Sequence, residues 1–177
     1  MKVILFSLLA VVVMTTATYA QQDKSKRASP PDSTTVTTDD GVTIAIHYSK
    51  PSLKGREIGV ELAPFGKVWR TGANEATELD LYKPMKLDGS VIEPGTYTLF
   101  TIPKKNEWVV IINTKTNIWG LSYDPEYDFL RFTVPSRSAA APIESLSMAF
   151  RPDTDGFSLM IGWDDRYVEI PFESVEE

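Results

Sequence analysis

The sequence predicts an all-β fold, an antiparallel β-sandwich, on three observations. Apolar residues recur at every second position from Thr34 onward, which is the spacing of half-buried strands. Turn-forming pairs such as Asp40-Gly41, Asp88-Gly89 and Pro94-Gly95 divide these runs into short pieces. No stretch sustains apolar residues at helical spacing for long. Many short strands in succession, spaced roughly every 8 to 12 residues, imply antiparallel pairing in a sandwich, with barrel-like closure as the alternative.

Each element follows in order. Val42, Ile44, Ile46 and Tyr48 alternate with Thr43, Ala45, His47 and Ser49, so His47 lies on the face opposite the apolar row. Thr77, Leu79 and Leu81 repeat the pattern, and Asp88-Gly89 turns Met85–Leu87 back onto Val91-Ile92. Thr96–Ile102 and Trp108–Asn113 are the most hydrophobic strands, joined by a polar turn at 103–107, and are expected at the centre of a sheet. Phe129–Val134, Ile143–Phe150, Phe157–Trp163 and Tyr167–Phe172 complete the set, with turns at Asp153–Gly156 and at Asp164-Asp165-Arg166. Two segments, Pro51–Ala76 and Thr114–Asp128, break the alternation and are read as long loops, the places where a site is expected.

The N-terminus reads as a secretory signal peptide. Lys2 precedes an apolar run from Val3 to Met14, too short for a membrane-spanning helix, and Thr18-Tyr19-Ala20 supplies a cleavage site. Residues 1–20 are therefore assigned to the signal, 21–33 to a flexible leader, and 34–177 to a single β-sandwich domain. Cleavage leaves 157 of 177 residues, enough for one core. It also removes Lys2, taking the net charge from −6 to −7, which disfavours nucleic acid as a partner. The chain has no cysteine, so disulfides, thiolate metal sites, a cysteine nucleophile and a lipoprotein anchor are excluded. No asparagine stands in a glycosylation sequon, which fits a bacterial exported protein, periplasmic or extracellular and without a membrane anchor once mature.

The first long segment runs from Ser49-Lys50-Pro51-Ser52-Leu53-Lys54-Gly55-Arg56 to Pro64-Phe65-Gly66-Lys67-Val68-Trp69-Arg70-Thr71-Gly72-Ala73-Asn74-Glu75-Ala76-Thr77. With Pro94-Gly95-Thr96-Tyr97, Trp119-Gly120 and Tyr123-Asp124, it resembles the bacterial exported proteins grouped as domain of unknown function 2911, over roughly Arg27 to Phe172. The resemblance implies a secreted or periplasmic β-rich domain and brings no catalytic residue with it.

The residues themselves offer two readings of Arg70–Glu75. A guanidinium fork at Arg70, backbone N–H groups near Gly72, and the charges of Lys54 and Arg56 suit an anion, with Thr71, Asn74, Glu75 and Trp119 beside it. Alternatively Arg70 and Glu75 pair to brace the loop, Asn74 satisfies loose backbone groups and Trp69 is core.

An enzyme would draw on Glu75, Asp80 and the single histidine, His47, for proton transfer. There is no G-x-S-x-G elbow. Asp124, Glu126 and Asp128, and likewise Asp153-Thr154-Asp155-Gly156, are fragments of calcium loops that lack the full ligand set, so neither metal nor cofactor is expected. Trp119, Tyr123 and Tyr127 could offer a platform for sugar rings or apolar peptide side chains. The favoured reading is an exported module, not an enzyme, that binds a small-molecule or peptide anion through the 54–75 loop. Its alternatives are a hydrolase of envelope or extracellular polymers and a structural envelope protein. Mass spectrometry of exported protein should find Gln21 as the first residue; retention of residues 1–20 in a membrane fraction would overturn the assignment.

Overall fold

The computed structural model describes residues 23–39 and 41–175, so the signal segment lies outside the described residues. Among the described residues ten strands run in order: β1 (Pro31–Thr38), β2 (Gly41–Ser49), β3 (Thr77–Leu81), β4 (Met85–Leu87), β5 (Ser90–Ile92), β6 (Gly95–Pro103), β7 (Glu107–Asn113), β8 (Asp128–Pro135), β9 (Arg137–Asp153) and β10 (Gly156–Ser174). They form two antiparallel sheets, one ordered β1-β2-β3-β6-β7-β8 and the other β5-β4-β10-β9, packed as a sandwich rather than closed as a barrel. The only helical elements among the described residues are short 3-10 turns at Lys24–Lys26 and Pro125–Tyr127. No described helix is long and apolar enough to cross a membrane.

The core lies where the two inner faces meet. Ile44, Ile46, Leu79, Leu99, Val110 and Ile112 point in from the larger sheet, and Leu146, Leu159, Ile161, Val168 and Ile170 from the smaller. Strands β6 and β7 are interior, as their hydrophobicity requires, and are buried on both faces at Phe100 and Ile111. The second burial has its own cause: Ala76, Ile118 and Tyr123, from the two long loops, cover the outer face of these strands as a smaller cluster. His47 is exposed, on the face opposite Ile46.

Two expectations need correction. The Asp164-Asp165-Arg166 turn does not end a strand: β10 runs through it with Asp164 at a φ of 58°, and the register shifts on either side of Asp164 arise on β9, where Ser147 to Ile143 faces Gly162 to Asp164 and Ile143 to Ser138 faces Asp164 to Arg166. A polar residue able to take a positive φ suits a turn and an irregular strand position alike. The leader is also not loose along its described length. Strand β1 starts at Pro31 and pairs with β2 across eight positions, because the β2 edge would otherwise leave its backbone groups open. Upstream, Lys24 and Arg27 are drawn onto Glu75.

Because Leu79 is fully buried between the sheets, Leu79→Ala should cost about 2–5 kcal/mol. Urea unfolding should show a lower midpoint with an unchanged slope; a shift below about 1 kcal/mol would mean that the core is not centred there.

Candidate functional site

The first long loop is fixed by its tryptophan. Beyond Thr77 strand β3 ends, leaving the neighbouring edge of β6 open, and Trp69 takes that place: its N–H donates to Thr101 O at 2.7 Å, and Thr101 N–H donates to Trp69 O at 2.9 Å. The Trp69 ring stacks on Trp163 of the opposite sheet at 5.6 Å and meets Trp108 edge-on at 5.9 Å, while its indole N–H donates to Gly72 O at 3.0 Å. Thr71 is fully buried at a φ of 52°, costly for a β-branched residue. It is held there by its hydroxyl donating to Thr101 Oγ1 at 3.1 Å and by its carbonyl accepting from Thr77 Oγ1 at 2.9 Å.

The second long loop is stitched to the first. Ala76 N–H donates to Ile118 O and Gly120 N–H to Asn74 O, with Glu75 opposite Trp119. This brings Gly120 against the stem of Arg70, so closely that a Cβ at position 120 would overlap the Arg70 side chain. The loop's far end is pinned at Asp128, which accepts hydrogen bonds from Asn113, Tyr123 and Arg131. Burial and the Asp128 carboxylate push the Tyr123 phenol up to about 12.

Arg70, thus clamped, lines a cleft of about 420 Å³ walled by Trp69 and Trp163, with Arg56 and Glu61 also at its surface and Leu121 at its rim. The Arg70 Nε is buried and makes no hydrogen bond, and no ion pair to Arg70 occurs among the described residues. Burial lowers its pKa, but a guanidinium remains protonated in proteins. The cleft therefore holds a charged, partly desolvated donor whose demand the protein does not meet.

The remaining candidates separate from it. Glu75 does not pair with Arg70; it accepts from Arg27 Nη1 at 2.7 and 3.0 Å and lies 3.1 Å from Lys24 Nζ. Burial alone would raise its carboxyl, but the hydrogen bonds from Arg27 and Lys24 hold it down at about 2. Asn74 lines the cleft, yet its amide donates to Ser29 O at 3.0 Å. Arg56 spends Nε and Nη2 on Leu53 O and Ser52 O. Lys54 is exposed, and its backbone N–H is held by Glu144. Trp119 is half exposed beside the cleft rather than in its wall.

His47 lies in a separate hollow of about 350 Å³ shared with Lys24, Arg27, Glu75 and Glu78. Its Nε2 is 3.3 Å from Asp80 Oδ2, and Asp80 Oδ1 accepts from Thr96 Oγ1 at 2.6 Å. The acidic loop residues serve as caps: Asp124 accepts from Glu126 N–H, and Asp153 from Thr154 N–H and Ser158 Oγ. Sequence reasoning did not single out Glu61, Leu121 or Trp163 as cleft residues. Only the burial-driven meeting of distant elements brings them there, although Trp163 was legible as the end of a strand.

The family described as "Protein of unknown function (DUF2911)" matches residues 29–172, about four fifths of the chain, and the chain belongs to it. No curated protein and no solved structure matches the chain.

The Glu75 carboxyl yields a pH test. With a folded value near 2 against an ordinary 4.5, it contributes stability that is fully present above about pH 4.5 and is lost as the pH falls through 4.5 toward 2. Melting curves of the native chain and Glu75→Gln should differ by a constant amount above pH 5 and converge in that acid window. A gap that persists unchanged at pH 2 would exclude the ion pair as its source.

Proposed function

We propose that this DUF2911 protein is an exported, non-enzymatic β-sandwich module that binds a small or peptidic anionic ligand in the cleft centred on Arg70. One observation carries the reading: Arg70 lines an open cleft with Gly120 packed on its stem, and it has no ion pair among the described residues, its Nε being buried without a hydrogen bond. Buried polar groups are paired almost without exception, and leaving one unmet is costly. This protein obeys that rule at Thr71, Thr77, Thr98 and Asn113; Trp108 Nε1 and Ser136 Oγ are the other buried side-chain atoms without a partner among the described residues, but both are uncharged and neither lines the cleft. An arginine kept for structure would be paired in the same way. One kept for a ligand gains its partners when a carboxylate or similar anion arrives.

Acid–base catalysis has less support. Glu75 is held as an ion-paired carboxylate, unsuited to donating a proton near neutral pH. His47 lines the other hollow with Asp80 beside it, and neither lines the Arg70 cleft. That pair is the observation favouring the hydrolase alternative, and it lacks a nucleophile bonded to the histidine among the described residues. Export rests on the signal sequence at residues 1–20.

Arg70→Met keeps a stem packed on Gly120 and removes the charge. It should leave the melting temperature within a degree or two of the native chain, or raise it, while abolishing the stabilisation that millimolar organic anions give the native protein. Glu75→Ala should do the reverse, lowering the melting temperature and leaving the anion response in place. A drop of several degrees in Arg70→Met would identify Arg70 as a structural brace and remove the binding reading.

A further inference from the structure

The lining of the Arg70 cleft narrows the ligand further, on the premise that this cleft is an anion site. Three charged residues reach it, Arg56, Arg70 and Glu61, so its own charge is +1. Two of the three are already committed: Arg56 donates to Leu53 O and Ser52 O at 3.0 Å each, and Glu61 Oε2 accepts from Glu57 N–H at 3.1 Å. The indole N–H groups of Trp69 and Trp163 are likewise spent, on Gly72 O and Glu144 O. Arg70 presents a planar fork suited to one carboxylate. Arg56 keeps its charge, which Glu61 offsets, so the lining balances one negative charge and would leave the second charge of a phosphate or sulfate dianion uncompensated.

Asn74 and Ser29, which also line the cleft, are bonded to each other, and the other side chains of the wall are apolar. Leu62, Ala63, Pro64 and Val68 from the first loop, the Trp69–Trp163 stack and Leu121 from the second loop enclose the space around Arg70. Leu121 is 78% exposed and Val68 38% exposed. These side chains stand at the mouth in contact with water, where an apolar ligand body would cover them.

We infer that the cleft takes a monocarboxylate carrying an apolar body, its carboxylate on Arg70 and its apolar part along Val68, Leu121 and the tryptophan wall. Two sources share this chemistry, a free organic acid and the C-terminal residue of a peptide.

Calorimetric titration of the purified protein with acetate, hexanoate, N-acetyl-leucine, inorganic phosphate and hexan-1-ol tests it. Hexanoate should bind at least about tenfold more tightly than acetate, since each buried methylene strengthens binding severalfold, and more tightly than phosphate. Arg70→Met should weaken hexanoate by at least about tenfold without changing hexan-1-ol, and Leu121→Ser should weaken hexanoate severalfold more than acetate. N-acetyl-leucine binding above hexanoate assigns the site to peptide C-termini, and the reverse order assigns it to free acids; either order upholds the inference. Acetate or phosphate binding as tightly as hexanoate, with Arg70→Met abolishing all three, overturns this inference and leaves the anion site standing. Hexanoate binding that survives Arg70→Met intact, or binding by none of the acids or phosphate, overturns both.

Discussion

The stack of Trp69 on Trp163 is the contact on which the rest of the site depends. Trp163 belongs to the smaller sheet and Trp108, edge-on to Trp69, to the larger, so a single loop residue is wedged where the two layers meet. Its backbone is fixed independently, by the two-way hydrogen bonding with Thr101 that continues the sheet past the end of β3. With ring and backbone both set, Arg70 has little freedom in where it leaves the loop. A charged side chain placed this way is preorganised, and the order imposed by the tryptophans need not be imposed again by a ligand.

Why Arg70 and Glu75 part company, although five residues apart, follows from the backbone between them. Thr71 and Asn74 both hold positive φ, 52° and 59°, and Gly72 packs so tightly on Thr77 Oγ1 and Ser49 O that no larger residue fits without a shift. The chain turns sharply twice. Arg70 is left facing the tryptophan cleft and Glu75 the hollow beside His47, with the short 74–76 and 118–120 pairing as the partition. The N-terminal segment then ties off both sides: Ser29 O accepts from Asn74 and Arg27 binds Glu75.

These facts mark what was legible in the sequence. Local periodicity carries strand identity, because burial at every second residue is a property of neighbours along the chain; β2, β3, β6 and β7 therefore emerge directly, as do the two loops between β2 and β3 and between β7 and β8. The passage of β10 through Asp164 escapes because its residues suit a turn equally well. Site partners escape for a different reason. The bond from Arg27 to Glu75 joins residues 48 apart, and Glu61, Leu121 and Trp163 reach one cleft from three separate segments. No spacing rule links such residues; only the packed fold does. Composition could point to Glu75 as a residue in need of a partner, while the identity of that partner depended on a tail that reads as a polar leader.

The two arginines that flank this loop also illustrate opposite solutions to one problem. Arg27 and Glu75 neutralise one another at a half-exposed surface, where an ion pair adds little unless its geometry is good, and here both carboxylate oxygens are engaged by the same nitrogen. Arg70 is also partly buried and has no such partner, so the desolvation of its Nε goes uncompensated in the free protein. The fold tolerates this because the tryptophan clasp and the buried threonine hydrogen bonds over-determine the loop around it. Unmet polarity held by surplus packing is the expected form of a binding group, since any stability gained by pairing Arg70 internally would have to be given back when an anion arrived.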